Sequence, residues 1–308
     1  MINYRITYFL ILIGYVVFLT LLVDYVQVQG KGDILTYQSI TENNVSLFGE
    51  NGVESLPYTI ILKLLFMDSM IYLDNLYKGN LFLLLAIAIF LSVFFSFLNN
   101  TNSSYLNILC LFVVLMHPRV FHLFVSNFRT GVSLALILPF LSYGASKIRL
   151  FGMSVVSILH AATVLLMLFV LAERFFRRWF GRRFIKSVLI LGFFVLFSIF
   201  NKYGIIRGEP WNANLMYTAS ILIVFLVYIF SVVVFRGSNE GIFGFLSYVY
   251  MAACIACIML DISGVRFFSI FLLISIFSLT TWSRDARLTY GAAVLGHTMF
   301  ANYYYFFI

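Results

Sequence analysis

Charge is what this sequence has least of. Only 10% of its 308 residues are Asp, Glu, Lys or Arg, against about 25% in ordinary soluble domains. Hydrophobic residues make up 62% of the chain and the mean hydropathy is +1.00. A chain with so little polar surface cannot cover itself in water, which excludes a soluble globular domain. Cysteine is scarce too. Cys110, Cys254 and Cys257 all sit in apolar windows. The last two have CxxC spacing, but with no second pair and no neighbouring histidine they read as small packing residues rather than a zinc or redox site. The sequence lacks a nucleotide-binding loop, a metal-ligand cluster and a nucleophile elbow, which disfavours ATP-driven transport and hydrolase chemistry. It also shows no internal repeat and no long low-complexity tract.

What the sequence has is apolar windows of spanning length, about 20 residues each, recurring from one end to the other. They predict an all-α polytopic membrane protein with about 10–11 membrane segments, one transmembrane domain over residues 1–308 and no soluble domain. Residues 6–23 follow a start carrying only Arg5 and read as a retained first span, too long for a signal-peptide core and without a small-residue cleavage site.

Charge then sets the topology. With the N-terminus inside, the loop 24–57 falls on the outer face, and it holds Asp24, Asp33, Glu42, Glu50 and Glu54 against Lys31 alone. Residues 57–70 carry Lys63 and Asp68 and read as an interfacial or re-entrant helix on the same side. Spans are expected at 81–98, 105–124 and 130–143, the middle one crossing despite His117, Pro118 and Arg119. Between 150 and 171 a single span would carry the cluster Arg174, Arg177, Arg178, Arg182, Arg183 and Lys186 outside, against the positive-inside rule. A broken or re-entrant helix pair turning near His160 keeps that cluster inside, as a topology-setting cytoplasmic loop compatible with contact to anionic lipid headgroups. A net charge of +8 placed in this way points to membrane lipids and not to nucleic acid. Further spans follow at 185–200, 215–235, 242–260, 267–279 and 288–306, with Arg284, Asp285 and Arg287 in an inner connection.

On this topology Asp33, Glu54, Arg129, His160, Arg207, Glu209, Asp261 and Arg266 collect on the outer face. Ionisable groups at a membrane are costly and usually face a cavity or one another. Arg129, in Asn127-Phe128-Arg129-Thr130-Gly131, and Arg266, in Ser263-Gly264-Val265-Arg266-Phe267, each open a helix at that surface. A helix N-terminus favours anions, and arginine adds a two-pronged grip on phosphate. Each arginine alone also fits simple snorkelling to headgroups; two in equivalent positions fit a shared diphosphate. His160 reads either as a packed core histidine or as a general base or phosphate partner. Asp33 and Glu54 read as solvating loop residues, or as members of the site.

The outer-loop Asp33 and Tyr37, the Glu54-Ser55-Leu56-Pro57 helix start, the run Phe128-Arg129-Thr130-Gly131-Val132-Ser133-Leu134-Ala135, His160-Ala161-Ala162 and Arg266-Phe267-Phe268 follow one another in this order. In that order they resemble the EpsG and Wzy-type bacterial polysaccharide polymerases, a family that commonly has Gln where this chain has Thr130. The resemblance implies a fold similar to GT-C-like polymerases in the bacterial inner membrane. It also implies polymerisation of undecaprenyl-diphosphate-linked repeat units on the periplasmic side, with no metal and no cofactor, and a chain-length regulator as a candidate partner.

The expected mechanism is attack of a sugar hydroxyl on an anomeric carbon with undecaprenyl diphosphate leaving. Arg129 and Arg266 would hold the diphosphate, with Arg207 as a third cation. His160 would be the first choice of base and Asp33 the second. Glu209, Glu54, Tyr37 and Asp261 complete the expected substrate-binding set. Two rivals from other classes are a transporter or flippase of lipid-linked oligosaccharide and a membrane acyltransferase built around His160.

Overall fold

A computed structural model describes residues 13–14, 88, 91–97, 105–125, 128–142, 146–157, 161–176, 188, 192, 195, 198–199, 215–235, 241–261 and 264–307. Every element among them is helical: α1 (Tyr105–Leu115), α2 (Pro118–Val125), α3 (Phe128–Ser142), α4 (Ser146–Ser157), α5 (Ala161–Phe176), α6 (Leu215–Val234), α7 (Ile242–Met259), α8 (Val265–Ser278), a 3₁₀ turn (Leu279–Thr281) and α9 (Arg284–Phe307). The loop 24–57, the interfacial helix 57–70 and the turn at His160 lie outside the described residues. The flanking helices of that turn end at Ser157 and begin at Ala161. The chain divides into two compact units, residues 1–96 with 123–164, and residues 97–122 with 165–308.

In the first unit α3 contains Pro139. Proline has no N–H, so the carbonyl four residues earlier, that of Ala135, loses its helical donor. Ser92 supplies one, its Oγ donating to the Ala135 carbonyl at 2.7 Å. Ser142 Oγ donates to the Leu138 carbonyl within α3 at 2.9 Å. Where α4 meets α3, Gly152 lies against the Phe140 ring, and a Cβ there would overlap three ring atoms.

In the second unit α8 is the buried centre: Phe268, Phe271, Leu272, Leu273, Ile274, Ile276 and Phe277 are all buried. α7 packs antiparallel against it, Tyr250 near Phe267 and Phe243 stacked on Phe277 at 5.0 Å. α6 meets it through Phe225, edge-on to Phe271 at 4.9 Å, an aromatic arrangement worth about 0.5–1.5 kcal/mol beyond its area. α9 runs antiparallel to α8, joined by a 2.7 Å hydrogen bond between Ser275 and Tyr290. It is parallel to α1: Arg287 Nη1 donates to Asn107 Oδ1 at 3.2 Å near one end and Asn302 Nδ2 to the Met116 carbonyl at 3.2 Å near the other. One end of this unit therefore holds Arg119, Tyr217, the start of α8 and the His297–Tyr304 stretch, and the other holds Asn107, Phe235, Arg284 and Arg287.

α6 and α7, of 20 and 18 residues, are long and apolar enough to cross a membrane. The polarity of α6 is inverted relative to a helix at a water surface. Its exposed positions include Leu215, Met216, Ile223, Leu226, Phe230 and Val233, while Tyr217, Thr218, Tyr228 and Ser231 are buried. Apolar residues outward and hydroxyls inward is the distribution hydrocarbon selects, because no water is there to satisfy polar side chains. Cys110, Cys254 and Cys257 are free and buried, as packing residues should be.

Two features depart from the spans expected of the sequence. The 105–124 span is not continuous: α1 ends at Leu115 and α2 begins at Pro118. Pro118 cannot donate to Val114, whose carbonyl instead accepts the His117 N–H at 3.1 Å, and proline suits the first position of a new helix. The second departure is that Arg284, Asp285 and Arg287 do not form a connection but lie in the first turn of α9. Ser283 Oγ accepts the Ala286 N–H at 3.3 Å, the geometry of an N-cap, and Asp285 complements the positive end of the helix dipole.

Candidate functional site

The break between α1 and α2 delivers the first member of the site. His117 stands where an N-cap would, its Nδ1 accepting the Arg119 backbone N–H at 3.2 Å. The Met116 carbonyl at the break receives its donor from Asn302, whose amide also donates to the Thr298 carbonyl at 3.0 Å. The kink is thereby held from α9.

His117 is wholly buried and stacks on His297 of α9, ring centroids 5.0 Å apart and planes 17° from parallel. Phe268 presents its edge to both, at 5.9 Å from His117 and 5.1 Å from His297. Tyr217, at the start of α6, lies 5.7 Å from His297 and 5.9 Å from Tyr304. The Arg119 guanidinium sits over the Tyr217 ring at 5.6 Å, and Ser269 Oγ donates to the Arg119 carbonyl at 3.1 Å. Four helices thus contribute to one polar cluster: α2, α6, α8 and α9.

Among the described residues, His117 Nε2, both ring nitrogens of His297 and Thr298 Oγ1 are buried without a hydrogen-bond partner. Each such group costs about 1–3 kcal/mol, so several in one place call for a functional or structural explanation. A neutral imidazole offers one donor and one acceptor. Since Nδ1 of His117 already accepts, its Nε2 is the donor.

The expected site residues fall as follows. Arg266 is exposed, the second residue of α8, and Arg129 is likewise the second residue of α3. Arg266 belongs to the second unit and Arg129 to the first. Asp261 lies in the α7–α8 connection that precedes Arg266, where it is exposed and adopts φ 54°, a left-handed turn conformation that Asp tolerates. Three residues beyond Arg266, Ser269 bonds Arg119, so Arg119 and the α8 start share one end of the unit. Asp33, Tyr37, Glu54, His160, Arg207 and Glu209 lie outside the described residues.

Sequence reasoning notes His117 and Arg119 only as polar residues within the 105–124 span, and none of His117, Arg119, Tyr217 and His297 is among its site candidates. The available signal was two ionisable residues, His117 and His297, inside otherwise apolar windows, which is itself a reason to suspect function. Among the described residues no group of three or more His, Cys, Asp or Glu side chains is placed to hold a metal ion. No protein-family model, curated protein or solved structure matches the chain.

Proposed function

We propose that this chain polymerises undecaprenyl-diphosphate-linked oligosaccharide repeat units by metal-independent glycosyl transfer at the periplasmic face of a bacterial inner membrane. The observation that carries the reading is the matched placement of Arg129 and Arg266, each the second residue of an apolar helix, with Arg119 at the same end of the second unit as Arg266. A guanidinium in a helix first turn adds its charge to the N-terminal N–H groups and the positive end of the dipole. Arg284 and Arg287 lie at the opposite end of that unit, which in this reading faces the cytoplasm.

In this reading a sugar hydroxyl of one lipid-linked unit attacks the anomeric carbon at the reducing end of the growing chain. The new glycosidic C–O bond forms as the bond to the diphosphate breaks, and the electron pair leaves with undecaprenyl diphosphate. The hydroxyl proton passes to a base, His160 or Asp33. Negative charge grows on the diphosphate oxygens along this path, so cations fixed in advance bind the transition state more tightly than the ground state. Arg129 and Arg266 take that role, with Arg207 as a third cation; Glu209, Glu54, Tyr37 and Asp261 line the glycan.

The test uses purified full-length protein with lipid-linked repeat units alone. A ladder of polymer is expected, with the rate lowered about 100-fold in Arg129→Ala and in Arg266→Ala. Normal ladders from both variants would overturn the assignment. Translocation of the unit with no covalent change would instead indicate a flippase, and dependence on an acyl donor an acyltransferase.

A further inference from the structure

We propose that the His117–His297 pair, with Thr298, is a subsite for the hydroxyl groups of a neutral carbohydrate, the acceptor sugar of the glycosyl transfer; this rests on the polymerase reading. His117 and His297 are 0% and 5% exposed and Thr298 is 4% exposed. Their unpartnered atoms offer one donor from His117 Nε2, one donor and one acceptor from His297, and a hydroxyl that does either. That is the complement of adjacent sugar hydroxyls, each of which gives one hydrogen and accepts another.

The surroundings favour a neutral ligand over an anion. Two imidazolium charges on rings stacked at 5.0 Å would repel strongly among the apolar side chains around them, so the pair makes a poor doubly charged clamp for a diphosphate. The groups packed against the pair are Phe268 from α8, Tyr217 from α6 and, from α2, Arg119, whose guanidinium is directed over the Tyr217 ring. Tyr304, half-buried and 5.9 Å from the buried Tyr217, supplies a flat apolar face with a polar tip of the kind on which the C–H face of a pyranose rests. Arg119 and Tyr304 are half-buried, so the cluster continues from the buried imidazoles to accessible side chains at the end of the unit that carries the α8 start.

A site built to hydrogen-bond hydroxyls discriminates sharply against ligands that lack them, because its own polar atoms are then left unpaired. The subsite therefore sets which acceptor sugar is accepted, separately from the arginines that hold the leaving group.

The experiment measures binding of the phosphate-free repeat-unit oligosaccharide, released from its carrier, to full-length protein in nanodiscs, with inorganic diphosphate as a second probe. The wild type is expected to bind the oligosaccharide, and His297→Ala and Thr298→Val to weaken it about tenfold or more. His297→Gln, which keeps a donor and an acceptor, should recover part of the loss. In the polymerisation assay the same variants should raise KM for the acceptor with little change in kcat, whereas a merely structural role would lower the melting temperature and the amount of active protein instead. His297→Gln also covers the case in which His297→Ala fails to fold. Unchanged oligosaccharide binding in His297→Gln and Thr298→Val, or loss of diphosphate rather than oligosaccharide binding, would overturn the subsite. If the wild type binds oligosaccharide through His297 yet makes no polymer from lipid-linked units, the subsite stands and the polymerase reading falls.

Discussion

Ser92 stands in for the amide that Pro139 lacks: its hydroxyl reaches the Ala135 carbonyl at 2.7 Å, the acceptor that the proline ring leaves without a helical donor. Removing the hydroxyl in Ser92→Ala should destabilise the protein by about 1–3 kcal/mol. Restoring the amide in Pro139→Ala gives Ala135 a partner again, so Ser92→Ala on that background should cost much less. Melting temperatures of the four proteins form a double-mutant cycle, and additive effects would disprove the coupling.

Ser275 and Tyr290 should respond unequally to deletion. Ser275 Oγ donates to the Leu272 carbonyl at 2.9 Å and therefore accepts from Tyr290. Ser275→Ala strands the phenol in a buried site and should cost about 1–3 kcal/mol. Tyr290→Phe removes the donor and leaves the serine its own acceptor, so it should cost about 1 kcal/mol or less. Thermal unfolding in one detergent compares them directly.

Gly291 of α9 lies against Cys110 of α1. A Cβ there would stand 2.7 Å from Cys110 Sγ, so Gly291→Ala must displace the thiol and should cost about 1–3 kcal/mol. Cys110→Ala removes the obstructing sulfur, and the double variant should regain most of the loss, read as recovered melting temperature.

Asn302 holds the break at His117 by donating to the Met116 carbonyl at 3.2 Å. Asn302→Ala should lower stability by about 1–3 kcal/mol, and it should loosen His117 from His297. Hydrogen exchange at the Arg119 amide, whose acceptor is His117 Nδ1, is the readout; unchanged protection would show that the break holds without Asn302.

At Arg266 a lysine keeps the charge and loses the planar fork. Arg266→Lys should therefore polymerise at a rate between the wild type and Arg266→Ala. A lysine variant as slow as the alanine one would show that bidentate geometry, not charge, carries the interaction.

The sequence made the long apolar helices legible, and their observed limits at Leu215–Val234 and Ile242–Met259 lie within a residue of the expected spans. It also placed Arg129 and Arg266 correctly at helix starts, because Gly264 and the polar Asn127 punctuate the pattern just before them. It did not show the division of α1 from α2, since a spanning-length window averages one proline into many apolar residues. The His117–His297 pair was hidden for a different reason: each histidine looks isolated in its own segment, and only the packing of α1, α8 and α9 brings them together. Ser92 and Asn302 were illegible in the same way, because the Ala135 and Met116 carbonyls they serve are distant in the chain.

The outward hydrocarbon face of α6 has a practical consequence. Any solvent exchange that strips amphiphile from Leu215, Ile223, Leu226, Phe230 and Val233 leaves a strip of bare aliphatic and aromatic side chains along the helix. Contact between two copies along that strip is then the cheapest way to hide it. Purified samples will clump as detergent is diluted past its micelle threshold, and the onset of turbidity should shift when Phe230 or Val233 is exchanged for Ser while the inward-pointing Tyr228 stays in place.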